Sequence, residues 1–164
     1  MLTHLLIMRH AKSSWTDASL PDHARPLNGR GRESADVIAA TLTAKGFAPD
    51  VIWSSDAQRT RETATRMIRV IPGAQQVFYQ PEFYMASANQ ALQICTAADE
   101  PDGKLMLLGH NPGWEDLFDH FSGHHQQYAT GCCGVFVRKD KSAHWLSPEA
   151  WHFKIFLQPR DLMG

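Results

Sequence analysis

Leu5–Met8 is an unbroken apolar run that stops abruptly at a cation and an imidazole, Arg9 and His10. A short run with no polar face is the signature of a strand buried on both sides of a parallel sheet. In open α/β sheets, ligands sit beyond the carboxyl ends of such strands. Arg9 and His10 are therefore delivered to the rim where sites are built. Arg9 brings a permanent planar cation suited to phosphate or carboxylate. His10 brings a nitrogen able to act as nucleophile, acid or base near neutral pH.

The rest of the chain alternates in the same way. Leu2–Met8 predicts strand one, followed by a loop from Arg9 to about Leu27. In LNGRGRESADVIAATLTAKG, Ala35, Ile38, Ala39 and Leu42 recur on one helical face, and Gly46 stops the helix. DVIWSS predicts a second strand, and Ala57 to Ile71 a helix ended by Pro72 and Gly73. Gln76 to Tyr79 reads as a short strand and Ser87 to Ala98 as a helix with Ala91, Leu92 and Ile94 inward. Lys104 to Leu108 is another buried strand, halted at Gly109 and His110. Pro112 then sits where a helix begins, with Trp114, Leu117, Phe118 and Phe121 on its buried face. Val135 to Arg138 and Trp151 to Leu157 read as two strands joined by a polar turn, an antiparallel edge. The expected fold is a three-layer α/β/α domain over residues 1–164, with a mostly parallel central sheet.

Composition removes several classes of function. Sixteen basic against seventeen acidic residues leave a net charge of -1, which gives no support for a nucleic-acid or membrane-surface binder. No apolar run reaches the length of a membrane span, and no signal peptide is expected at the N-terminus. Cys95, Cys132 and Cys133 are odd in number, with an adjacent pair and no CxxC spacing. They point to a reducing, cytoplasmic setting rather than a disulfide framework. His120, His124 and His125 lie close together, but no recognised zinc spacing is completed around them, and they read as surface residues at a helix end. No metal or other cofactor is expected.

The strand ends carry the functional signal. Strand one ends in Arg9-His10, strand two in Ser54-Ser55 ahead of Arg59, and the later strand in Gly109-His110. If these strands are parallel, two arginines and two histidines meet on one rim. Helix N-termini there would add N–H donors and partial positive charge. Such a pocket suits a dianionic phosphoryl group. Each residue alone has an ordinary reading, as loop cation, solvated helix face or turn; the coincidence at equivalent strand ends favours a site.

The segments LLIMRHAKSSW, RPLNGRG, SSDAQRTRETA, LLGHNPGWE and PRDL together resemble the histidine phosphatase superfamily, also called phosphoglycerate mutase-like. Within it the chain looks most like the short SixA-type phosphohistidine phosphatases. The resemblance implies a nucleophile at His10 that holds a transient phosphoryl group. It implies a clamp of Arg9, Arg59 and His110, with no metal needed, and water then hydrolyses the phosphoenzyme. Ser13, Ser14 and Asn28 fall in segments that can border the phosphate, with Ser13 and Asn28 the substrate-binding candidates. Glu82, in QPEFYMASA, is the nearest positional match to the carboxylate that serves as general acid in many members. The sequence around it departs from the mutase-type pattern. An imidazole, with a pKa of about 6.5, leaves without strong acid assistance, so a site with a weak acid favours phosphohistidine. Short gaps between the core segments imply an open pocket, suited to a phosphorylated protein, such as a histidine-phosphotransfer protein. The alternatives are a small-molecule phosphomonoesterase, a phosphoglycerate mutase-like enzyme, or a non-catalytic phosphate-binding module.

Overall fold

A computed structural model describes residues 1–163. Its central sheet has six strands: β1 (Leu2–Arg9), β2 (Val51–Ser54), β3 (Gln76–Tyr79), β4 (Gly103–Gly109), β5 (Cys133–Arg138) and β6 (Trp151–Leu157). Their order across the sheet is β3-β2-β4-β1-β5-β6. The first four strands in that order run parallel, while β5 is antiparallel to both β1 and β6. This is the mostly parallel sheet with an antiparallel edge that the sequence implied. Five helices complete the layers: α1 (Gly29–Ala44), α2 (Gln58–Val70), α3 (Ala88–Thr96), α4 (Gly113–Ser122) and the short α5 (Pro159–Leu162).

Two-residue alternation along the buried strands explains the layering. Leu5, Ile7, Leu105 and Leu107 point to one face and pack with Trp114, Leu117 and Phe118 of α4 and with Ala91 and Cys95 of α3. Leu6, Met8, Met106 and Leu108 point to the other, where Ala35, Ile38 and Leu42 of α1 and Ala64 and Met67 of α2 meet them. Each strand therefore has a core on both sides, which is why its sequence lacks a polar face. The β5–β6 connection is more than the expected polar turn. It folds back to bury Trp145 and Leu146, and Trp151 Nε1 donates to the Trp145 carbonyl at 2.7 Å.

Register aligns the strand ends. Arg9 sits opposite Gly109 across β1 and β4, and Ser54 opposite Leu108 across β2 and β4. The residues that follow, His10, Ser55 and His110, therefore leave the sheet at one level. Arg9 itself is the last residue of β1 rather than the first of the loop. Two close approaches hold helices against this rim. A Cβ on Gly31 would lie 2.0 Å from the Lys12 carbonyl oxygen, and one on Gly109 would lie 2.5 Å from the Trp114 ring. Glycine at these positions lets α1 and α4 reach the ends of β1 and β4.

Candidate active site

His10 is 6 % exposed, and its Nδ1 lies 2.6 Å from the carbonyl oxygen of Ala11. A carbonyl only accepts, so Nδ1 carries the proton and Nε2 is left with its lone pair. Burial, opposed by the Ala11 hydrogen bond and reinforced by the Arg59, Arg9 and Arg25 charges, holds the His10 pKa down to about 3. The ring is therefore neutral and nucleophilic at physiological pH. The residue after it is fixed as well: the Ala11 amide donates to Thr63 Oγ1 of α2 at 3.1 Å.

His110 faces His10, with ring centroids 5.2 Å apart. Its Nε2 is 2.8 Å from Ser55 Oγ, while Nδ1 is buried without a partner. Burial first, then the neighbouring His10, Arg59 and Arg9, bring its pKa to about 3. Ser55 is itself held by the start of α2: its carbonyl accepts from Thr60 Oγ1 and its hydroxyl from the Ala57 amide.

Arg9 donates through Nη1 to the Tyr128 carbonyl at 3.0 Å, and its Nε is buried with no partner. Burial lowers its pKa, but a guanidinium keeps its charge. The same Tyr128 carbonyl accepts from Asn111 Nδ2 at 2.8 Å. Arg59 is 4 % exposed, and Nη1 and Nη2 donate to the main-chain oxygen and to Oδ2 of Asp22, at 2.8 and 3.1 Å. Asp22 stands in a 3-10 turn (Asp22–Ala24) of the Lys12–Leu27 loop. It also accepts from Arg25 Nη1 at 2.7 Å and from the Tyr84 hydroxyl. The Tyr84 bond is the largest cause of an Asp22 pKa held down to about 2, outweighing partial burial, with Arg59 and Arg25 contributing. Arg25 reaches further, donating to Ser13 Oγ and stacking 3.3 Å above the ring of Trp15, which is 76 % exposed.

These side chains enclose a cavity of ≈ 370 Å³ walled by Arg9, His10, Ser13, Arg25, Arg59 and His110, with Asp22 and Asn111 at its edge. Three arginines with only one carboxylate among the lining residues give it a positive field. Buried guanidinium and imidazole groups with unfilled hydrogen-bonding positions suit a tetrahedral oxyanion.

The family model for the histidine phosphatase superfamily (branch 1) matches residues 5–83. An uncharacterised chloroplastic protein of Arabidopsis thaliana is 39% identical over 128 residues, which cover 73% of this chain and 59% of that protein. A structure provisionally assigned as phosphohistidine phosphatase SixA of Agrobacterium tumefaciens superposes with a TM-score of 0.82. It is 28% identical and covers 97% of this chain and 99% of that one. Over residues 5–83 the chain is similar to the histidine phosphatase superfamily, and its fold is similar to that of SixA.

A second solved structure, the protein histidine phosphatase SixA complexed with tungstate, has a TM-score of 0.80 over 97% of this chain and 99% of that one. At 18% identity it speaks for the fold alone. The chain spans 59% of the plant relative's length.

Within this cavity, Arg9, His10, Arg59 and His110 come together as the strand ends implied, and Ser13 joins them. Three expected residues do not join them: Ser14, whose hydroxyl pairs with Thr16 Oγ1 at 2.9 Å, Asn28 and Glu82. Asn28 caps α1, its Oδ1 accepting from the Gly31 amide at 2.8 Å, because the helix start claims a side-chain acceptor. Glu82 is exposed on a 3-10 turn (Pro81–Phe83) and does not line the cavity; that turn presents Met85 to the cavity and Tyr84 to Asp22 instead. Asp22, Arg25 and Asn111 belong to the site without having been singled out by sequence. Arg25 falls in the RPLN segment and Asn111 follows His110, so a motif pointed near both. Asp22 sits in a loop whose composition gave no signal. His120, His124 and His125 take separate partners: the Leu146 carbonyl, the Phe118 ring and Glu115.

Proposed function

We propose that this protein is a metal-independent phosphatase that hydrolyses a phosphoryl group through a covalent phosphohistidine on His10. The substrate is a phosphohistidine carried by another protein. One observation carries the reading: a buried imidazole with Nδ1 committed to a carbonyl and Nε2 free, in a cavity lined by three arginines and a second neutral histidine.

The Nε2 lone pair of His10 forms the new bond to phosphorus as the bond to the leaving nitrogen breaks. That nitrogen keeps the electron pair, and a proton on the other nitrogen of the substrate ring lets it leave as neutral imidazole. Arg9, Arg59 and His110 donate to the equatorial oxygens as charge builds on them. Arg59 releases part of its contact with Asp22 to do so. Water then attacks the phosphoryl group, the His10–phosphorus bond breaks, and phosphate leaves with the ring neutral again. The leaving imidazole has a pKa of about 6.5 and needs little help from an acid. The exposed Glu82 and a strongly ionised Asp22 both fit a site with a weak acid.

Rapid-quench labelling with a 32P-phosphohistidine protein tests this directly. We expect an acid-labile, base-stable phosphoenzyme in the wild type and none in His10→Ala. Labelling that survives in His10→Ala sinks the mechanism. Turnover of free sugar phosphates as fast as that of the phosphohistidine protein sinks the substrate assignment.

A further inference from the structure

A second recess adjoins the cavity and is not used by the chemistry above. It has a volume of ≈ 170 Å³ and draws Lys12 from the loop after β1, Arg30 from the first turn of α1 and Arg160 from α5. Lys12 and Thr130 line both hollows, so the two adjoin across these residues. Buried Ser34 and Cys132 form its inner surface, and among the described residues no carboxylate lines it.

Among the described residues, five of the sixteen Lys and Arg side chains pair with a carboxylate, and none of those five lines the recess. Arg25, Arg32, Arg59, Arg66 and Arg138 each have a carboxylate within 4.0 Å. Among the described residues, Lys12, Arg30 and Arg160 have none. An unpaired cation on a surface is ordinary. Three from three separate segments, turned into one small recess beside a nucleophile, place like charges together at a cost that an incoming anion relieves.

We propose that this recess is a specificity subsite for an acidic side chain, an Asp or Glu carboxylate flanking the phosphorylated residue of a protein substrate. The inference rests on the phosphohistidine reading of the main cavity and adds the charge of the sequence around it. A carboxylate on the substrate, held by Arg30 and Arg160 while Lys12 bridges to the phosphoryl group, sets the register of the phosphorylated residue over His10. The open mouth, with exposed Trp15 at its edge, admits a polypeptide rather than enclosing a small molecule.

Binding, rather than turnover, provides the test. Two peptides carry a stable phosphonate mimic of phosphohistidine, one flanked by glutamates and one by glutamines. Isothermal titration calorimetry compares them on the wild type and on the double variant Arg30→Gln/Arg160→Gln, whose changed side chains are both exposed. We expect the wild type to bind the acidic peptide about tenfold tighter, and the variant to bind both alike. Equal binding to the wild type, or a preference that survives in the variant, overturns the subsite. Inorganic pyrophosphate provides a further arm: dependence on Arg30 and Arg160 for pyrophosphate but not for the acidic peptide overturns the protein occupant. The same peptides without the phosphonate separate this proposal from the reading it rests on. If affinity does not depend on the phosphonate, the phosphoryl reading fails. The glutamate preference and its loss in the variant still decide the subsite.

Discussion

At the scale of single residues, the site depends on two imidazoles held neutral. His10 and His110 have folded pKa values of about 3, well below the ordinary value of about 6.5. Between those limits the unfolded chain takes up protons that the folded chain refuses. Their contribution to stability is therefore complete above about pH 6.5 and is lost as pH falls towards 3. Urea midpoints at pH 7.5 and pH 5 measure this. We expect His110→Asn to lose less stability over that interval than the wild type; an equal loss contradicts the burial argument. Arg59 is the second decisive residue. Arg59→Lys keeps the charge but loses the planar fork that spans two oxygens, and kcat/KM should drop by about 10²- to 10³-fold. Full activity in that variant, measured on phosphohistidine protein, removes Arg59 from the clamp. Arg9 and His10 were legible in the sequence because they end an apolar run, and Arg59 because it opens the helix that follows strand two. Asp22 was not, since its position depends on how a loop folds over Arg59.

At the scale of elements, helix ends and strand ends are fastened to each other through polar contacts. The Lys12 carbonyl accepts from the Asn28 amide at 3.0 Å, and α1 begins directly after it. Gly31→Ala puts a methyl group 2.0 Å from that carbonyl, so α1 and the His10 loop must separate. We expect a stability loss of about 1–3 kcal/mol and a lower kcat/KM, read by denaturation and kinetics on the same preparation. Tyr128 plays the corresponding part on the other side. Its buried hydroxyl donates to the Ile7 carbonyl at 2.6 Å and accepts from the Gly134 amide at 2.8 Å, joining β1 to β5. Its own carbonyl holds Arg9 and Asn111. Tyr128→Phe strands the Gly134 N–H and should cost about 1–3 kcal/mol in thermal or chemical unfolding, with unchanged secondary structure. Periodicity located these elements closely, missing chiefly the buried half of the β5–β6 connection. There, Trp145 and Leu146 are too few and too scattered to form a pattern.

At the scale of the whole molecule, the fold gathers distant segments onto one rim and leaves the rim open. If the missing strong acid and the open mouth select the substrate together, phosphohistidine should be hydrolysed faster than an alkyl phosphate. The alkyl deficit should narrow for a phenolic ester, whose leaving group is less basic. Comparing kcat for the three leaving groups checks this; no dependence on leaving-group pKa contradicts the weak-acid site. By itself the sequence determined the alternation of strand and helix, the two-faced burial of β1 and β4, the presence of Arg9, His10 and His110 at strand ends and that of Arg59 at the start of the helix after β2. These follow from local hydrophobic patterning, which neighbours in sequence carry. Only the tertiary structure decided which loop side chains face that rim. It turned Asn28 into a helix cap, left Glu82 in solvent, set Asp22 against Arg59 and brought Lys12, Arg30 and Arg160 into one recess. Such contacts join residues far apart in the chain, and their geometry depends on loop paths and on competition for hydrogen-bond partners, which no local pattern encodes.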